Sequence, residues 1–92
     1  MNRLEESRAV IDRVDRELVK LFEQRFEAIL SVAEYKRENN MPVFDPAREQ
    51  AIIAARSQEV REELRPYFTA WYREMLNQSK DYQKKVLGLE DK

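Results

Sequence analysis

The chain has 92 residues, a formal net charge of -1, 42% hydrophobic and 38% charged side chains, one Gly and three Pro, a mix that fits one small domain of amphipathic helices better than sheet. With no Cys and no His, it cannot form disulfides, Cys/His zinc sites, a Ser-His-Asp triad, a Cys nucleophile or a His general base. The near-neutral charge gives no electrostatic case for nucleic acid or an anionic membrane, and no long apolar run or N-terminal signal core is present, so a cytoplasmic location is expected.

The first predicted helix runs from about Arg3 to Glu38 without Pro or Gly. Asn2 is placed to cap it, with Glu5 and Glu6 in the first turn where acids suit the helix dipole. Its apolar residues recur every seven positions: Leu4, Ile11, Leu18 and Val32 form one row, and Val14, Leu21, Ala28 and Tyr35 a second. Arg25 interrupts the first row, while Arg8 and Lys36 sit at the stripe's edge in the row of Phe22 and Ile29. Such a helix is roughly 50 Å long. A compact chain of this size has a radius of gyration of only about 12 Å. Because the apolar rows continue along the whole rod, packing on another chain is expected.

Met41-Pro42 marks the break after the first helix, since a residue before Pro avoids the helical region. Asp45-Pro46 reads as an N-cap followed by Pro at the first helical position, opening a second helix expected over Pro46 to Leu64 with Ile53, Val60 and Leu64 on its stripe. Arg65-Pro66 reads as the next break. A third helix is expected from Pro66 to Leu87, stopped by Gly88, with Phe68, Trp71, Tyr72, Met75, Ser79, Tyr82, Gln83 and Val86 on one face. Leu89 to Lys92 are expected to fray. The sequence reading is thus an all-α chain of three helices, one domain over residues 1–92.

Seven polar residues fall on or beside the apolar faces: Arg8, Arg25, Lys36, Arg48, Glu49, Ser79 and Gln83. Each alone has an ordinary explanation. A long cation snorkels to water or pairs with an acid such as Asp12, Asp15 or Glu23, and a helical Ser bonds back to its own helix. All three helices contribute, however, and an unpaired buried charge is costly.

Arg25 and Lys36 lie roughly 16 Å apart along the helix axis, so their side chains can lean toward one ligand between them, whereas Arg8 is roughly 25 Å before Arg25. Two copies of the helix packed antiparallel would bring Arg8 of one chain toward the Arg25 region of the other, in a two-fold dimer with two shared sites. Such a pocket suits a small dianion, because Arg grips carboxylates bidentately. It has no cofactor fingerprint and no convincing nucleophile or base, so a catalyst of this kind works by orientation and electrostatic stabilisation.

Arg8-x-x-Ile11-Asp12-x-x-Asp15-x-x-Leu18-x-x-Leu21-Phe22-x-x-Arg25, then Val32-Ala33-x-x-Lys36, Pro42-Val43-x-Asp45-x-x-Arg48-Glu49 and Ser79-x-x-x-Gln83, resemble the all-α class of chorismate mutase over about residues 4 to 87. Ser7 departs from the Leu frequent in that class before the first Arg. The resemblance implies an intertwined homodimer that rearranges chorismate to prephenate without metal or cofactor. It implies that Arg25 and the other chain's Arg8 hold the substrate carboxylates, that Lys36 and Gln83 donate to the ether oxygen, and that Glu49 accepts from the ring hydroxyl. It gives Arg48 and Ser79 a supporting role in carboxylate binding, and has Asp45 order the loop or bind through its backbone. The alternatives are an isochorismate pyruvate lyase of the same fold and a non-catalytic helical dimerisation module.

Overall fold

Capping interactions set the boundaries of the helices in the computed structural model, which describes residues 2–88. The expectation for Leu89 to Lys92 lies outside the described residues. Helix α1 spans Arg3–Glu38, and the Asn2 side chain accepts from the Glu5 backbone N–H at 2.9 Å, as the sequence predicts. At its other end Asn40 adopts a left-handed conformation (φ 55°), while the Asn40 and Met41 N–H groups bond back to the Arg37 and Lys36 carbonyls. This Schellman turn satisfies carbonyls that the helix end leaves open and reverses the chain immediately after Lys36.

Helix α2 spans Pro46–Gln58, with the Asp45 carboxylate accepting from the Arg48 N–H at 3.1 Å. It is shorter than the predicted Pro46–Leu64. After Gln58 the Glu59 and Val60 N–H groups bond three residues back, to Arg56 and Ser57, tightening the last turn, and Arg61 is extended (ψ 147°). Glu62–Leu64 form a short 3₁₀ turn that runs straight into helix α3, Arg65–Leu87. Pro66 therefore lies in the first turn of α3, where its missing N–H costs nothing. The interruption that the sequence reading put at Arg65-Pro66 comes earlier, over Glu59 to Arg61. The Arg65 guanidinium braces this corner by donating to the Val60 carbonyl at 2.9 Å. Gly88 stops α3 in the left-handed region (φ 73°).

Helix α3 packs against both α1 and α2. Ala33, Val43, Tyr72 and Leu76 form the buried apolar centre, and Ser79 and Gln83 are buried beside them. Phe26 links α1 to α3, stacked on Phe22 at 4.4 Å and tilted against Tyr82 at 5.2 Å. On α3 the buried face is rotated from the predicted stripe: Leu76 is inside, whereas Trp71 is 55% exposed.

Most of α1 makes no buried contact within the chain. Every residue from 2 to 24 is exposed, including Leu4, Ile11, Leu18, Leu21 and Phe22. These residues correspond to roughly 33 Å of projecting helix. The long axis is 55 Å and the radius of gyration 16.6 Å, above the roughly 12 Å of a compact chain of this length.

Loss of the α2 cap tests the local account. Asp45→Ala should lower stability by about 1 kcal/mol in urea denaturation, and Asp45→Asn by much less, because Asn still offers an oxygen to the Arg48 N–H.

Candidate active site

The C-terminal third of α1, the loop after it, the first turn of α2 and the middle of α3 enclose a cleft of about 180 Å³. Arg25, Lys36, Asp45, Arg48, Glu49, Ser79 and Gln83 all line it, together with Ile29, Val32, Val43, Ile52, Leu76 and Lys80. Seven of the eight residues predicted from sequence thus meet in one place. The eighth, Arg8, is exposed on the projecting part of α1 and does not line the cleft of its own chain.

Each cation is oriented differently. The Arg25 Nη1 donates to the Ser79 hydroxyl at 3.0 Å, and the guanidinium carbon lies 5.9 Å from the centre of the Tyr72 ring. Ser79 in turn donates to the Met75 carbonyl at 2.9 Å. The hydroxyl therefore bonds back to its own helix and also presents its oxygen to Arg25, which makes it a support for the guanidinium. Lys36 Nζ donates to the Val43 carbonyl at 2.9 Å and to Gln83 Oε1 at 3.4 Å. The Schellman turn makes the first bond possible by folding Val43 back over the last turn of α1. With Gln83 Oε1 accepting from Lys36, its amide N–H groups remain available as donors. Arg48 is exposed at the mouth, its backbone fixed by the Asp45 cap.

Among the described residues, no carboxylate lies within ion-pair distance of Arg25, Lys36 or Arg48. The acids considered as partners from sequence, Asp12, Asp15 and Glu23, do not serve. Glu49, which also lines the cleft, pairs with Lys80, Nζ to Oε2 at 3.2 Å. Three cations therefore line the cleft, and two of them, Arg25 and Lys36, are held by neutral groups that orient them without cancelling their charge. Such an arrangement suits a small anion with more than one acidic group. Among the described residues no group of His, Cys, Asp or Glu could hold a metal ion.

Lys80 is the polar cleft residue that the sequence reading passed over. The signal was present, because Leu76, Lys80 and Gln83 stand four and seven residues apart on one face of α3. The Val43 carbonyl carries no side-chain signal at all.

The chorismate mutase type II family matches residues 7–84. The T-protein of Haemophilus influenzae is 39% identical over 59 residues, 64% of this chain and 16% of that protein, so the chain spans a small fraction of that relative's length. No solved structure gives a significant match. With its helices, its cationic cleft and a match over most of its length, the chain belongs to the chorismate mutase type II family.

Proposed function

We propose that the cleft converts chorismate to prephenate by a cofactor-free pericyclic rearrangement, in a site completed by a second copy of the chain. The observation that carries this reading is the convergence of Arg25, Lys36 and Arg48 on one cleft without acid partners among the described residues. The substrate is a dicarboxylate whose reaction needs no nucleophile. It must be folded so that its enolpyruvyl side chain lies over the ring in a chair-like geometry, and negative charge must be stabilised on the ether oxygen as the C–O bond breaks.

Arg25, supported by Ser79, holds one carboxylate of the substrate, and Arg48 at the mouth assists. Fixing both carboxylates turns a floppy molecule into a near-attack conformer. Lys36 Nζ and the Gln83 amide meet the ether oxygen. Lys36 is pointed by two neutral acceptors, so little reorganisation is needed when charge develops. Glu49 accepts from the ring hydroxyl. Asp45 holds the loop and the first turn of α2, and with them the backbone beside the cleft.

The second carboxylate requires Arg8 of the other chain. Within one chain Arg8 is roughly 25 Å along the helix from Arg25. The projecting half of α1 carries an uncovered apolar face, which an antiparallel copy would bury. The homodimer then has two identical sites, each with Arg25, Lys36 and Gln83 from one chain and Arg8 from its partner. The same reading makes residues 1–92 a single catalytic domain, acting in the cytoplasm on a small molecule, with neither nucleic acid nor membrane as a partner.

Two experiments test the assignment of roles. Lys36→Ala should lower kcat for chorismate by about 10²–10³ with the helical circular dichroism retained, as for loss of one donor to a developing oxyanion; activity within tenfold of the parent protein would exclude that role. Mixing Arg8→Ala with Arg25→Ala chains should regenerate roughly a quarter of the wild-type sites, because a random mixture is half heterodimer and each heterodimer has one intact site. Failure to recover activity despite demonstrated heterodimers would exclude the shared site.

A further inference from the structure

Among the described residues, the Glu49–Lys80 ion pair is the one ion pair at the cleft, and it stands between two cavities. The cleft and an open groove of about 480 Å³ between α2 and α3 share only Glu49 and Lys80 as lining residues. Both side chains are more than three-quarters buried, at 21% and 24% exposure. The Lys80 ammonium is fixed from a second side, 4.4 Å from the centre of the Phe44 ring, and Phe44 lines the groove but not the cleft. Among the described residues, the hydrogen bond to the Glu49 carboxylate comes from Lys80 and occupies Oε2, leaving Oε1 to accept from another group.

We propose that Lys80 is a positioning residue for the reaction: clamped between Phe44 and Glu49, it holds the Glu49 carboxylate at the wall of the cleft with Oε1 presented to the substrate's ring hydroxyl. This deepens the mutase reading above and rests on it. The physical need is plain. A free carboxylate in a cleft with Arg25, Lys36 and Arg48 is drawn to those cations and takes the place of a substrate carboxylate. Tethering it to a fourth cation at the wall keeps the other three open for the substrate. Lys80 thus acts through Glu49 and contributes to the choice of a hydroxylated ring.

The experiment compares chorismate with the analogue lacking the ring hydroxyl, in the full chain and in Lys80→Met, Lys80→Arg and Glu49→Gln. Wild type should prefer the hydroxylated substrate by about tenfold or more in kcat/KM, the effect of one hydrogen bond to a charged acceptor. Lys80→Met should lose most of that preference, Lys80→Arg should keep it, and adding Lys80→Met to Glu49→Gln should change the preference by less than about twofold. A merely structural role for Lys80 would slow both substrates equally and leave the preference intact, which would overturn the proposal. A further loss of preference in the Glu49→Gln background would also overturn it, by showing that Lys80 acts on the substrate directly. If Lys80→Met fails to fold, Lys80→Arg decides: a lost preference in that folded variant overturns the simple charge tether, and a retained one supports it. A wild-type chain that turns over neither compound would overturn the mutase reading itself, an outcome distinct from an active enzyme whose preference ignores Lys80.

Discussion

Three like charges held open toward one cleft are the constraint around which this chain is arranged. Arg25, Lys36 and Arg48 repel one another, and the partial burial of Arg25 and Lys36 is unfavourable unless something meets their charge. Carboxylates would do so most strongly but would fill the site. To Arg25 and Lys36 the fold instead offers the Ser79 hydroxyl, the Val43 carbonyl, the Gln83 amide oxygen and the face of Tyr72. These neutral groups fix direction while leaving the charge available. An anionic ligand then gains both from the attraction and from relief of the repulsion among its hosts. In the proposed reaction, the negative charge that builds up on the ether oxygen is stabilised where that oxygen meets Lys36 and Gln83.

That arrangement explains local features that would otherwise look unrelated. The left-handed Asn40 closes α1 so that Val43 can return over Lys36. The Asp45 cap starts α2 immediately afterwards and brings Arg48 and Glu49 to the rim. Ser79 and Gln83 are buried, at 2% and 5% exposure, yet both are bonded: Ser79 supports one cation and Gln83 accepts from another. The site draws on α1, α2 and α3 at once, so its geometry depends on their mutual packing through Leu76 and Tyr72. The other half of α1 is a rod with an exposed apolar face, and in the proposed dimer it serves the partner's cleft.

Much of this is legible in the residues themselves. The α1 boundaries, the Asp45-Pro46 start of α2 and the Gly88 stop follow from capping chemistry, which is local and therefore visible in sequence. Arg25 stands out because it breaks an apolar row, and Ser79 and Gln83 because they are polar on an apolar face. What sequence hides is non-local. The end of α2 at Gln58 depends on a tightened turn and on the Arg65 bond to Val60, whereas Val60 and Leu64 continue the helical period and invite a longer helix. Trp71 looks like core by type but falls outside the contact face that Leu76 defines. Lys80 reads as a solvated lysine until Glu49 and Phe44 are seen to close on it.

The most direct test of the central claim is incubation of the purified chain with chorismate, free of metal and cofactor, following loss of chorismate and appearance of prephenate in the same sample. The expected result is stoichiometric conversion to prephenate, unaffected by a chelator. Chorismate remaining unchanged with the folded protein, or release of pyruvate in place of prephenate, would contradict the account.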